Sequence, residues 1–471
     1  MAKTKIICTI GPVSNSEEVL EKLILNGMNI ARLNFSHGSM EQHGRTIDTI
    51  RRIARNLDKP VGILQDLPGP KIRIGAVREK NILLRSGSGF ILTRRSVPGD
   101  STSVSVQFDS LPDILQPGDI VLLNDGTVEL KVLSIDGDDI KCRVVVSGFI
   151  SSHKGINLPT RSLNVPSMTA KDRESLRFGI SKHVDYVAMS FVRSAIDIQE
   201  VKTILRASDD EIPVIAKIEK HEALANFDDI LDHADGIMIA RGDLGVETPL
   251  ENIPRIQKQL IHRTNMAGKP CITATQMMRS MVDNPRPTRA EVSDVANAVL
   301  DGTDAIMLSE ETAMGRYPVD AVKTMAKVAE DAEKGLTGDM FPVIRTPLQN
   351  KPPSEAICQA ACLLAESVNA KAIIVCTQSG STARLVAKYR PVMPIIALTP
   401  SEITCRQMTL IWGVIPLQTR IINNETDIVA CAAETAIKSN MLNHGDTVVI
   451  TAGLPLPETG KTNMIRLETL H

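Results

Sequence analysis

The amino-acid sequence predicts an α/β fold: a (β/α)8 TIM barrel, interrupted by an inserted all-β lid and followed by a small α/β domain with an open sheet. Three observations predict it. Eight short apolar, β-branched runs alternate with segments of helical period. Near-continuous apolar runs mark parallel strands covered on both faces, and eight such units make a closed barrel. Between Arg73 and about Asn164 the helical period gives way to short Val/Ile/Leu runs separated by turn dipeptides. From Gly335 to Pro353 a Gly/Pro-rich stretch leads into a second alternation of strands and helices. The 471 residues exceed what one hydrophobic core holds. The expected division is a barrel of residues 1–72 and 165–335, a lid of 73–164, a linker of 336–353 and a C-terminal domain of 354–471.

The first apolar run, Lys5 to Ile10, leads to a helix from Glu17 to Leu25 that Ser16 caps and Asn26-Gly27 ends. Met28 to Leu33 and Val61 to Leu67 are the second and third runs. In the insert, short strands are punctuated by Ser86-Gly87, Pro98-Gly99, Pro117-Gly118, Asp125-Gly126 and Asp136-Gly137, pairs that favour turn dihedrals. An insertion at that end of a barrel strand hangs over the mouth where such barrels keep their active sites, which suits a mobile lid. The barrel resumes with Val184 to Phe191, Val214 to Ile218, Gly236 to Ala240, Cys271 to Ala274 and Ala305 to Leu308, and a helix around Ala321 to Ala332 follows. Beyond the linker, strands Ala372 to Cys376, Ile395 to Leu398 and Val448 to Thr451 alternate with helices such as Ser354 to Glu366, the pattern of an open α/β sheet.

Lys plus Arg number 53 against 55 Asp plus Glu, so no overall field draws the chain to nucleic acid or an anionic membrane, and any anion site is local. Aromatic residues are 3% of the chain, too few to interleave with basic residues as base-stacking platforms. No run approaches the roughly 18 continuous apolar residues of a membrane helix. The N-terminal MAKTKIICTIGP enters a strand without the apolar core and cleavage site of a signal peptide. Cys8, Cys142, Cys271, Cys358, Cys362, Cys376, Cys405 and Cys431 are scattered, with no CxxC pair and no zinc-type His partner. Reduced, buried thiols in a cytoplasmic protein are expected.

Polar and charged residues crowd at and just after the ends of the apolar runs, which a barrel gathers round one mouth. The second run leads to Arg32, Asn34, Ser36 and His37; the third to Asp66, Lys71 and Arg73; the fifth to Lys217 and Glu219. The sixth leads to Arg241-Gly242-Asp243 and the seventh to Thr275 and Gln276, with Ser293 beyond on a helix. Glu219 and Asp243, at the ends of adjacent strands, suit one hard cation that keeps positions for water and substrate oxygens; separate pairing with neighbouring Lys or Arg is the alternative. Strand alternation puts Lys217 on the face of Ile215 and Glu219, and a lysine aimed into a barrel needs an anion. With Arg32 and Arg73 it suits a phosphate cradle; a salt-bridge network with Asp66, Glu219 and Asp243 is the other reading. In the third domain, Thr377-Gln378-Ser379-Gly380-Ser381-Thr382 lies between a strand and a helix. Hydroxyls and amides there either hold a phosphate or simply cap the helix.

Across these residues the chain resembles the pyruvate kinase family over essentially its full length. IARLNFSHG (Ile30 to Gly38), GPKIR (Gly69 to Arg73), KGINLP (Lys154 to Pro159), AKIEK (Ala216 to Lys220), IARGDLGVE (Ile239 to Glu247), ATQMM (Ala274 to Met278) and PTRAEVSDVANAVLDGTDAIMLS (Pro287 to Ser309) stand in order. The resemblance implies transfer of the phosphoryl group of phosphoenolpyruvate to ADP, giving pyruvate and ATP, the last step of glycolysis. It implies that Glu219 and Asp243 hold Mg2+ or Mn2+ and that Lys217, Arg73 and Arg32 surround the moving phosphoryl group. It further implies that Gly242, Asp243 and Thr275 join Arg32 in binding substrate, and that Thr275 with Ser293 serves carboxylate binding and proton relay to the enolate carbon. Asp125 and Lys154 match positions where the family's lid reaches the closed site. A second divalent ion with the nucleotide, a homotetramer, and an effector phosphate at Thr377, Ser379, Gly380, Ser381 and Thr382 are implied in the same way.

One departure bears on cofactors. Potassium-dependent members of the family bind that ion at positions matching Asn34, Ser36, Asp66 and the backbone of residue 67, with Glu where this chain has Lys71; Leu67 also replaces a hydroxyl residue. A fixed ammonium about 4 Å from an anion is worth ~4 kcal/mol at an effective dielectric of ~20, so activity without potassium is expected. The effector stays open between a sugar phosphate and a nucleotide monophosphate, because Gly453 to Thr462 does not match the loop that selects fructose 1,6-bisphosphate. Glu310 stands where the family places a small residue. Two rival readings are another metal-dependent barrel enzyme acting on phosphoenolpyruvate or pyruvate, such as a lyase, and a pseudoenzyme that senses metabolites. The lid and C-terminal domain count against the first, and intact Lys217, Glu219, Asp243 and Arg73 against the second.

Overall fold

The computed structural model describes residues 2–159, 161, 166–208, 211–336, 351–420, 425–439, 441–453 and 462–470. The end of the expected lid, most of the expected linker and most of the stretch Gly453 to Thr462 lie outside the described residues. Eight parallel strands close a barrel: β1 (Lys5–Thr9), β2 (Met28–Asn34), β3 (Gly62–Leu67), β4 (Tyr186–Met189), β5 (Val214–Ile218), β6 (Gly236–Ala240), β7 (Cys271–Ala274) and β8 (Ala305–Leu308), with β8 returning to β1. This is the fold class read from the sequence.

Why the strands read as apolar runs is plain from their two faces. Ile7, Ile30, Leu64, Ala188, Ile215, Met238 and Ile272 form the inner cluster. Their neighbours Ile63, Val187, Val214, Ala216, Ile237 and Ile239 pack outward beneath the helices. Leu410 of the C-terminal domain joins the inner cluster, and the Tyr186 hydroxyl at the start of β4 donates to the Gln407 carbonyl, so that domain plugs the end of the barrel opposite the mouth. Helix Glu17–Leu25 starts at Ser16, whose side chain accepts from Val19 N, and it ends at Asn26.

The insert builds its own core around Phe90, Leu92, Val121, Leu130 and Val144. It forms a six-stranded sheet and a pair joining Ile82–Leu84 to Gly148–Ile150. A short helix, Leu111–Ile114, interrupts it. The C-terminal domain is a five-stranded sheet in the order β11-β10-β9-β12-β13, made of β9 (Ala372–Cys376), β10 (Ile395–Thr399), β11 (Val414–Gln418), β12 (Thr447–Gly453) and the antiparallel β13 (Thr462–Thr469). Among the described residues no helix is long and apolar enough to cross a membrane.

Candidate active site

Strand alternation carries polar side chains to one end of the barrel interior. Leu64 inside puts Asp66 inside two residues later, and the same step leads from Ile30 to Arg32 and from Ile215 to Lys217. Asp66, only 1% exposed, accepts from Arg32 Nε at 2.7 Å and from Lys217 Nζ at 3.1 Å. Lys217 Nζ also donates to Ser190 Oγ at 2.6 Å and lies 2.9 Å from Glu219 Oε1. The Ser190 hydroxyl in turn donates a hydrogen bond to the Leu67 carbonyl at 2.7 Å. Arg32 Nη1 donates to Thr9 Oγ1 at 2.8 Å.

Burial disfavours every charge here, so the direction of each pKa shift tells which partners prevail. Asp66 is pushed up by burial yet ends below its ordinary value, because Lys217 and Arg32 outweigh it. Lys217 is pushed down by burial yet ends above its own value, because Asp66 and Glu219 outweigh it. Glu219 stays high: burial raises it, Lys217 opposes, and the negative charge of Asp243 adds to the rise. Its Oε2 accepts from Phe191 N at 2.7 Å. A cation between Glu219 and Asp243 would relieve the rise at Glu219, so the donor set fits a hard divalent ion.

Asp243 stands in the first turn of helix Arg241–Glu247, directly after β6. Gly242 N donates to Thr275 Oγ1 at 2.8 Å, and that hydroxyl donates to the Ala274 carbonyl at 2.6 Å. Thr275 and Gln276 have φ of 70° and 56°, a left-handed backbone that costs a β-branched residue on the order of 1–3 kcal/mol. Arg241 holds it in place: Nη2 donates to the Thr275 carbonyl at 2.7 Å while Nη1 meets Asp294 Oδ1 at 2.7 Å.

The remaining residues singled out in the sequence are placed less centrally. Arg73 donates to the His153 carbonyl of the insert at 2.9 Å. Ser293 is exposed on helix Arg289–Leu300, and it is its neighbour Asp294 that reaches the Arg241 clamp. Lys154 contributes its carbonyl to Ile74 N at 2.9 Å. Asn34 pairs with Asp66 across β2 and β3, Asn34 Oδ1 accepts from Ser36 N at 3.1 Å, and Phe35 N donates to the Asp66 carbonyl at 3.0 Å, so these residues and Leu67 form one group. Lys71, grouped with them in the sequence, instead places Nζ 3.1 Å from Asp243 Oδ1 and 3.6 Å from Asp125 Oδ1 of the insert. It lies past the end of β3, where alternation no longer directs side chains.

A closed barrel with a sheet-rich insert after its third strand, and a buried lysine among carboxylates at the mouth, now stands beside two matches to known protein domains. The pyruvate kinase barrel domain matches residues 1–322, and the pyruvate kinase alpha/beta domain matches residues 355–468. The chain belongs to the pyruvate kinase family. It is 48% identical over 474 residues to a pyruvate kinase of Staphylococcus aureus (strain MRSA252), spanning 99% of this chain and 80% of that protein. A pyruvate kinase of Staphylococcus epidermidis (strain ATCC 12228 / FDA PCI 1200) is 46% identical over the same shares. Membership makes the chain a phosphotransferase.

Two further places in this pyruvate kinase family member bear on ligands. In the C-terminal domain the loop after β9 lies where the strand order reverses, the position at which open α/β sheets bind ligands. There Thr377 Oγ1 accepts from Gly380 N at 3.0 Å, Gly380 has φ 77°, and Ser379 Oγ donates to Ser381 Oγ at 3.1 Å. Thr382 is turned inward, its hydroxyl 2.7 Å from that of Thr462. The sequence reading missed a second group: His221, Glu222 and Glu247 bring ligand atoms within 4.8 Å of one another. The buried Glu247 already meets Lys220 Nζ at 2.7 Å and Asn157 Nδ2 at 3.0 Å, so a cation already serves it. A cavity of about 590 Å3, lined by Arg51, Lys59, Arg406 and Lys438 among others, lies between the barrel and the C-terminal domain, and none of the mouth residues described above lines it.

Proposed function

We propose that this enzyme transfers the phosphoryl group of phosphoenolpyruvate to ADP, giving pyruvate and ATP in the last step of glycolysis. Lys217 carries the reading: an ammonium at the barrel mouth, with 10% of its side chain exposed, held between Asp66 and Glu219 and beside Arg32. Phosphoryl transfer is mostly positioning and stabilisation of negative charge. Lys217 and Arg32 supply fixed positive charge, and Arg73 adds another from the lid hinge. Glu219 and Asp243 would hold Mg2+ or Mn2+, and a second divalent ion would accompany the nucleotide. Bound there, the ion polarises substrate oxygens as a Lewis acid. Thr275, its hydroxyl fixed between Gly242 N and the Ala274 carbonyl, seats the substrate carboxylate together with Gly242 and joins Ser293, through water, in delivering a proton to the enolate carbon. Asp125 and Lys154 are the lid's contribution.

In this reading residues 1–72 and 165–335 are the catalytic unit, 73–164 the lid and 354–471 the regulatory unit of a cytoplasmic homotetramer. A sugar phosphate or nucleotide monophosphate binds the loop of Thr377, Ser379, Gly380, Ser381 and Thr382. Potassium is not required in this reading, because Lys71 brings a fixed ammonium to the barrel mouth, although it stands on Asp243 rather than among Asn34, Ser36, Asp66 and Leu67. A coupled assay of ATP formation from phosphoenolpyruvate and ADP tests the reaction. Lys217→Ala should still bind phosphoenolpyruvate while kcat falls by about 10^2–10^3-fold, as when a transition-state donor is removed; undiminished turnover would contradict the role. The same assay in sodium-free and potassium-free buffer should show full activity, and strong activation by added potassium would reject that part.

A further inference from the structure

Lys71 lies at the join between barrel and lid, just past β3. Its stem passes Gly155 of the insert so closely that a Cβ there would stand 2.7 Å from Lys71 Cε and 3.5 Å from Nζ. Glycine at 155 therefore leaves the channel that the side chain occupies. At the end of that channel the ammonium meets Asp243 Oδ1 of the barrel at 3.1 Å and Asp125 Oδ1 of the lid at 3.6 Å. Asp125 is presented by a turn in which Asn124, Asp125 and Gly126 have φ of 51°, 53° and 82°. Asn, Asp and Gly are the residues that adopt this left-handed backbone most readily, so the turn's own sequence aims the carboxylate. Gly126 lies against Val246, beside the helix that carries Asp243.

We propose that Lys71 is a latch: its ammonium straps the lid turn to the barrel through Asp125 and Asp243, and in doing so competes with the divalent ion for Asp243. The inference rests on the assignment of Asp243 to that ion made above. A cation held on one carboxylate oxygen repels a second cation arriving at the same group. The affinity of the site for its metal is thereby tuned by a residue that need not itself be a ligand.

The test uses the full-length chain with Mn2+ alone as the probe, free Mn2+ being followed by electron paramagnetic resonance. Backbone hydrogen exchange of residues 120–128 is read in metal-free samples. Lys71→Met keeps the stem and removes the charge; it should bind Mn2+ about tenfold more tightly and exchange the lid segment about tenfold faster. Asp125→Asn should speed lid exchange in the same direction. Wild-type Mn2+ affinity and wild-type lid exchange in Lys71→Met would overturn the latch. Asp243→Asn examines the metal assignment by itself: if it binds Mn2+ as the wild type does, that assignment fails, while lid exchange in Lys71→Met and Asp125→Asn still decides the strap.

Discussion

Lys5 is buried at the start of β1, where Nζ donates to the Val414 carbonyl at 2.7 Å. Burial, offset only in part by Glu333, depresses its pKa to about 8. An unfolded lysine titrates near ~10.4, so between those values the unfolded chain holds more protons and stability rises with pH. Below about 8 both states are charged, and the full penalty, on the order of 3 kcal/mol, is present at neutral pH. Lys5→Met should therefore stabilise the protein at pH 7 by about 1–2 kcal/mol once the lost hydrogen bond is deducted. The gain should fade above pH 8 and vanish by about pH 10.5; denaturant unfolding that shows the same difference at every pH would refute the account. At this scale the site is legible in the sequence wherever a strand fixes the face. Asp66, Lys217 and Glu219 follow by counting in twos from apolar neighbours, and Ser190 was open to the same counting at the end of the fourth run. Lys71, Arg73 and Ser293 were not legible, because the passage from the barrel into the insert and a helix surface leave the direction of a long or polar side chain to tertiary packing.

Helix Arg289–Leu300 shows how an element's start is set by short-range chemistry that also serves the site. Thr288 Oγ1 accepts from Glu291 N at 3.2 Å, and Glu291 Oε2 accepts from Thr288 N at 2.8 Å, a reciprocal capping box. Glu291 also takes Ser280 N on Oε1 at 2.7 Å, tying the segment after β7 to the helix. Thr288→Ala removes one cap and should cost about 1 kcal/mol. Glu291→Ala keeps the backbone donor to Thr288 Oγ1 but removes the carboxylate half of the box and leaves both Thr288 N and Ser280 N without their acceptor, so it should cost about 2 kcal/mol; a smaller loss than for Thr288→Ala in urea titrations would count against this division of labour. Elements of this kind were readable where caps and apolar runs agree, as at Ser16 and in the four strands from β5 to β8. Others were hidden by their own exceptions. β11 carries Pro416, which argues against a central strand and in fact marks a sheet edge. β13 has one well-buried face at most, so it shows no apolar run. Leu111–Ile114 is a single turn too short for a period.

Among the contacts that join the barrel to the C-terminal domain, one buried carboxylate ties arginines of both. Asp185, with a fully buried side chain just before β4, accepts from Arg51 Nη2 at 2.6 Å, from Ile63 N at 2.7 Å and from Arg406 Nε at 2.8 Å. Arg51 belongs to a barrel helix and Arg406 to helix Glu402–Gln407 of the C-terminal domain, so a charge in the barrel wall holds both. Burial lowers the Arg51 pKa, Asp185 opposes that, and Arg406 pushes it down further. The two guanidinium groups thus repel, and the aspartate between them makes the contact attractive. Removing it leaves two largely buried cations face to face, a loss of about 3–5 kcal/mol by the usual measure of broken buried pairs. The loss falls on the joint more than on either core, since Leu410 in the barrel end and Arg390 on Asp304 at 3.1 Å remain. Asp185→Ala should therefore lower the first melting temperature in calorimetry and split the C-terminal domain's transition from that of the barrel. A single transition at the wild-type temperature would show that the remaining contacts, Leu410 in the barrel end and Arg390 on Asp304 among them, hold the two units together without Asp185.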